Sequence, residues 1–149
     1  MVVELRLRIV LERPPAGVDF GLQQGKGTDY RAIQTQRSSG DNLTFEGTVT
    51  AKDGRGDGLP NFLGPLAQGP TTGRFLYIDV GQMAGQTDSV WERRIKVPLS
   101  DISWSMIEQV SADPELVLEA RLPGTGRDGG PSCATVHPPL GWRAARRTR

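Results

Sequence analysis

Cys133 and His137 are the only cysteine and the only histidine in the chain, four residues apart. A thiolate and an imidazole side by side can serve as nucleophile and base. On an extended strand, however, four residues span about 13 Å at roughly 3.3 Å per residue, beyond hydrogen-bonding reach unless the chain bends at Pro138. No thiol-protease or transferase signature surrounds the pair. The reading is a structural cysteine and a surface histidine, with a Cys133/His137-dependent enzyme as the alternative. A metal held by one Cys and one His would also need carboxylates, and the sequence offers no tight cluster of them. No metal and no cofactor is expected. A single cysteine also excludes an internal disulfide and cysteine-type zinc sites.

Two glycine-rich stretches resemble nucleotide-binding loops and fail in context. Gly124-Thr125-Gly126-Arg127-Asp128-Gly129 matches G-x-G-x-x-G, but that motif works only when the glycines open a helix whose first amides hold a pyrophosphate. Here Gly130, Pro131 and the strand-like SCATV follow. Around Gly25-Lys26-Gly27, a phosphate-binding loop would need glycine where Phe20 stands, and Ser or Thr where Gly27 stands. Arg55-Gly56-Asp57 and the sequon Asn42-Leu43-Thr44 matter only in a secreted protein, and no secretory signal is visible. The expectation is a cytoplasmic protein.

Arg and aromatic side chains concentrate around one proline-rich stretch. Phe62, Gln68, Arg74, Tyr77, Trp91, Arg93 and Arg94 lie in or beside residues 59–70, 74–80 and 91–97. Arg and aromatics are favoured at binding surfaces, so these residues are the candidate binding groove for a small molecule or protein partner. Arg93 shares strand parity with Trp91, Ile95 and Val97 and would need a carboxylate or carbonyl partner, for which Asp79 is one candidate.

The elements that must position these residues are mostly strands. In VVELRLRIVL, Val3, Leu5, Leu7, Ile9 and Leu11 alternate with Glu4, Arg6 and Arg8, which gives one buried and one wet face. Val18, Phe20 and Leu22 alternate in the same way, Gly25–Gly27 reads as a turn, and residues 29–36 are taken as the second strand of a hairpin. LTFEGTVTA, residues 43–51, is the cleanest strand. Pro60, Pro65 and Pro70 make 59–70 a loop, but Phe62, Leu63 and Leu66 call for burial, so the loop is expected to cover the body. RFLYIDV, residues 74–80, is apolar on both parities and is expected to be covered on both faces. WERRIKV (91–97), ELVLEARL (115–122) and SCATV (132–136) complete the strands. Residues 103–112 form the one helix, with Ser105 and Glu108 as a capping box and Asp113-Pro114 as its end.

Composition agrees with this pattern. The chain has 149 residues, suited to one domain, and 30 of them are Gly or Pro, which excludes a bundle of long helices. No apolar run approaches a membrane span, so integral membrane association is excluded. Net charge is +1, and Arg143, Arg146, Arg147 and Arg149 crowd the last seven residues. The expectation is one domain over 1–142 and a basic, disordered tail over 143–149, with peripheral membrane association through that tail as another alternative. No basic stripe interleaved with aromatics runs through the body, so nucleic-acid binding is not expected. The fold class is mainly β: an antiparallel β-sandwich of seven or eight strands with one short helix.

Residues 5–139 resemble a family of uncharacterised bacterial proteins known as a domain of unknown function. The resemblance rests on LRIVLERPPAGVDFGLQQGKG, on NFLGPLAQGPTTGRFLYIDVGQMAGQTDSVWERRIKVPLSDISWSMIEQ and on LPGTGRDGGPSCATVHPP. It implies a bacterial, cytoplasmic, single-domain protein and brings no assigned activity or catalytic residue. In that family lysine often stands where this chain has His137, which weakens Cys–His chemistry further. The strand order is also similar to that of calcium-dependent lipid-binding β-sandwich domains. Of their aspartates, only Asp19, Asp79 and Asp88 have counterparts here, too few to hold calcium, so the similarity implies the sandwich and not the ion.

Overall fold

A computed structural model describes residues 2–26, 29–52, 60–63, 75–83, 93–99, 101–123 and 141–147. They form nine strands and one helix: β1 (Val2–Glu12), β2 (Val18–Lys26), β3 (Asp29–Arg37), β4 (Leu43–Lys52), β5 (Asn61–Leu63), β6 (Phe75–Met83), β7 (Arg93–Pro98), α1 (Trp104–Ser111), β8 (Leu116–Pro123) and β9 (Arg143–Arg146). The strands make a five-stranded sheet, β5-β4-β1-β8-β9, and a four-stranded sheet, β3-β2-β6-β7.

The two sheets share one apolar core. Period-two alternation sends Leu5, Leu7, Ile9 and Leu11 of β1 to the same face as Phe45, Val49 and Ala51 of β4 and Leu118, Ala120 and Leu122 of β8. Val18, Phe20 and Leu22 of β2, Ile78 of β6 and Val97 of β7 join them from the other sheet. At one end α1 adds Ile107 and Val110, with Trp104 and Met106 packed alongside. Burying each Val, Leu, Ile or Phe side chain among them contributes about 1.5–3 kcal/mol, so this cluster is the main stabilising element.

Several expectations change. The sheet is not purely antiparallel: β8 lies parallel to β1, with Leu7 opposite Leu118 and Leu11 opposite Leu122. A parallel neighbour needs a long crossover, and here the four-stranded sheet and α1 intervene between the two strands. The second face of β1 is not wet, because Arg8 and Val10 are buried as well as the apolar parity. Around Arg8 and Val10 both faces of β1 are therefore covered. β2 runs on through Gly25 to Lys26, which pairs with Asp29, so the chain does not turn at Gly25.

Where it is described, the proline-rich segment is strand and not loop, and it joins the sheet opposite β6. Asn61–Leu63 is an edge strand of the other sheet, with Phe62 opposite Ala51 and buried in the shared core. Pro60 stands just ahead of it, where a missing N–H removes no ladder bond. Leu66 and the strand expected at 132–136 lie outside the described residues.

The helix starts at a different cap. Ser103, in extended conformation, accepts from Met106 N at 3.3 Å, while Ser105 is an exposed residue of the first turn. The chain enters the helix early enough for Trp104 to pack on the core. After Ala112 the backbone closes through Asp113, whose side chain accepts from Glu115 N at 2.9 Å and whose carbonyl accepts from Leu116 N at 3.1 Å.

Residues 143–146, expected as part of a disordered tail, are strand β9, antiparallel to β8, with Val117 opposite Ala145 and Glu119 opposite Arg143. RAAR has little strand pattern of its own. The exposed edge of β8 supplies the template. Trp142, buried, supplies the anchor by donating its indole N–H to the Pro98 carbonyl at 3.2 Å. Gly141 ahead of it has φ of +68°, a conformation that glycine adopts without strain.

Candidate functional site

Four charges cross the five-stranded sheet in one row. The register sets Glu46 of β4 opposite Arg8 of β1, Arg8 opposite Glu119 of β8, and Glu119 opposite Arg143 of β9. Their sign alternates from strand to strand. The Arg8 guanidinium donates through Nε and Nη2 to Glu119 Oε2, both at 2.7 Å, and its Nη1 lies 3.7 Å from Glu46 Oε1. Arg143 Nη2 reaches Glu119 Oε1 at 3.7 Å. Arg121, two residues along β8 on the same face, donates to that oxygen at 3.1 Å and also faces Glu12 at 3.8 Å.

The centre of this row is dry and its end is wet. The side chains of Arg8 and Glu119 are 8% and 4% exposed, whereas Arg143 is 68% exposed. Burial alone would push the Glu119 carboxyl up. Hydrogen bonds from Arg8 and Arg121, with the attraction of their charges, outweigh it and hold the group below the usual carboxylate range. The neighbouring arginines therefore hold Glu119 ionised. Arg6 serves the same face differently: it donates to the carbonyls of Leu116 and Asp113 at 3.0 and 3.3 Å, fixing the turn after α1.

Of the residues singled out for a groove, Phe62, Tyr77, Arg93 and Arg94 are described, the last three on the paired strands β6 and β7. Phe62 belongs to the core at the β5 edge. Tyr77, Arg93 and Arg94 lie on β6 and β7, with Tyr77 opposite Lys96, Val80 opposite Arg93, and Asp79 opposite Arg94. In the backbone register Asp79 thus pairs with Arg94, and Arg93 with Val80. Gln68, Arg74 and Trp91 lie outside the described residues, as do Cys133 and His137. Asp19, the first calcium counterpart, is taken by Arg37, its cross-strand neighbour on β3, whose Nε lies 2.9 Å from Asp19 Oδ1. Among the described residues no group of three or more His, Cys, Asp or Glu could hold a metal, and no helix is long and apolar enough to cross a membrane.

The charged row was legible only in fragments. Arg6 and Arg8 share a parity on β1, and Glu119 and Arg121 share one on β8. A carboxylate set among the apolar residues of LVLEARL signals a paired charge, but it does not name the partner.

A family model extends across this whole arrangement, matching residues 5–145, from β1 to β9. The chain belongs to the family of unknown function DUF5990. The resemblance read from residues 5–139 is to a family of this kind. The DUF5990 match takes in Arg8, Glu46, Glu119 and Arg143 alike, and it includes most of β9. No curated protein and no solved structure matches the chain.

Proposed function

We propose that this DUF5990 protein is a non-catalytic binding domain, built as a two-sheet sandwich, that engages an acidic partner through the β6–β7 side of its four-stranded sheet. One observation carries the reading. β7 ends that sheet and carries Arg93, Arg94 and Lys96 within six residues, while Phe75–Val80, the stretch of β6 paired with it, contains a single acid, Asp79. Two positive charges remain in excess along the pair. Among the described residues no strand pairs with the outer edge of β7. Charges of one sign at a binding surface steer a partner of the other sign and set its orientation.

The experiment is titration of the full chain with poly-L-glutamate at low and at physiological salt. Binding is expected, weakening with salt and abolished in R93E/R94E/K96E that remains folded by circular dichroism. No binding, or binding that the triple reversal leaves intact, would remove the reading. The non-catalytic part is tested by alkylation of Cys133 with iodoacetamide across pH. The slow rate and titration midpoint of an ordinary thiol are expected, and a thiol active well below neutrality would overturn the reading.

A further inference from the structure

The two sheets meet differently on their two flanks. On one flank the chain closes its own edge: the side chain of Gln36 on β3 donates to the Thr44 carbonyl, Gln34 accepts from Glu46 N at 3.4 Å, and β5 pairs Thr50–Lys52 of β4. On the other flank β9 ends the five-stranded sheet and β7 ends the four-stranded one, and the Trp142–Pro98 hydrogen bond ties the start of β9 to the end of β7. This flank collects cations: Arg93, Arg94 and Lys96 on β7, Arg143 and Arg146 on β9, and Arg147 just beyond. Arg143, Arg146 and Arg147 are exposed.

The backbone of β9 adds direction to this charge. Arg147 N donates to the Glu115 carbonyl at 2.7 Å, so residue 147 faces β8. In an antiparallel ladder successive residues point their N–H and C=O groups to opposite sides. Residues 143 and 145 therefore also face β8, and Ala144 and Arg146 turn theirs outward. Among the described residues no strand takes those groups up. We infer that β9 is a docking strand, onto which an extended acidic segment of a partner protein adds as a sixth strand of the five-stranded sheet.

This rests on the binding-domain reading above and names the kind of partner. A second copy of this chain is disfavoured, since β9 against β9 would set arginine beside arginine. A membrane surface or a nucleic acid would use the charges but not the outward N–H and C=O groups, whereas a β-strand uses both. Basic residues on an edge strand also guard against aggregation, and the experiment separates guarding from docking.

The test compares Arg146→Pro with Arg146→Ala in the full chain. Both remove the same charge, but only proline removes the outward N–H, leaving the ladder to β8 intact. The probe is a fluorescein-labelled decapeptide of alternating Glu and Val, read by fluorescence anisotropy. At least a tenfold further loss of affinity in R146P over R146A is expected. Equal affinities in the two variants would overturn the inference, as would phosphatidylserine vesicles or single-stranded DNA showing the same proline-specific loss. Should R146P fail to fold, R146E/R147E is measured instead; it is expected to lose the peptide, and peptide binding that survived would overturn the inference. Poly-L-glutamate bound and lost on β7 reversal, with R146P and R146A indistinguishable, sinks the docking strand alone. No binding of either probe sinks both readings.

Discussion

Replacing Glu119 with leucine is the sharpest test of the charged row. The substitution leaves a guanidinium that is 8% exposed without the carboxylate that takes two of its hydrogen bonds at 2.7 Å. Breaking a buried pair from one side costs roughly 3–5 kcal/mol. Arg8 keeps Glu46 at 3.7 Å, so the low end applies, about 3 kcal/mol. For a chain of this size that is a fall in Tm of roughly 6–12 °C. Urea unfolding of the full chain, followed by tryptophan fluorescence, measures it. The double variant R8M/E119L is expected to lose less than E119L alone, because no charge is then stranded. A loss below about 0.5 kcal/mol in E119L, or simple additivity in the double variant, would refute the claim that Arg8 and Glu119 depend on each other.

The same pair sets a pH dependence. Glu119 titrates below the ordinary value of 4.5 when folded, so the unfolded chain takes up the proton first on acidification. Its contribution is fully present above about 4.5 and is lost as pH falls through the folded-state value. The wild type is therefore expected to lose stability more steeply than E119L as pH falls below about 4.5. Parallel curves would show that Glu119 is not held ionised by its neighbours.

Four other substitutions check the frame. Ser103→Ala is expected to cost about 1 kcal/mol in urea unfolding by removing the helix cap, whereas Ser105→Ala is expected to be nearly neutral. Trp142→Phe keeps most of the buried surface but removes the indole donor to Pro98. About 1 kcal/mol is expected, with faster hydrogen exchange at Arg147, whose N–H bonds Glu115. Phe62→Ala is expected to cost about 3–5 kcal/mol if the phenyl ring belongs to the shared core, far more than a surface loop residue would.

What could be read from the sequence follows from what alternation encodes. In β1, β2 and β4 the apolar parity predicted the inward face residue by residue, and the hairpin of β2 with β3 formed as expected despite the weak pattern of DYRAIQTQR. The second face of β1 was misread because burial there depends on what packs over the sheet, and the strand's own residues do not encode that. The pattern of β8 places Leu118, Ala120 and Leu122 inward whether the strand runs parallel or antiparallel to β1, so parity fixes the face and is silent on direction. β9 was missed for a third reason. Two alanines between arginines have almost no strand preference, and the strand exists because β8 offers an edge and Trp142 holds the segment to it.

Strand direction has a consequence for function. β8 runs parallel to β1, and β9 returns antiparallel along β8, so Arg143 and Arg146 lie at the far edge of the sheet and not over its centre. That return brings Trp142 to Pro98, at the end of the strand that carries Arg93, Arg94 and Lys96. Two basic segments about fifty residues apart in sequence thus share one flank, a proximity that rests on how the strands are ordered and not on either segment alone. Glu119 holds the arrangement from within. It binds Arg8 of the central strand and draws Arg143 of the edge strand, so neutralising it should loosen β9 before the core gives way. In E119L, hydrogen exchange at Arg147 is accordingly expected to rise by more than the global loss of stability accounts for. Exchange that tracked global unfolding alone would mean that β9 is held by its backbone ladder and Trp142, with no help from the charged row.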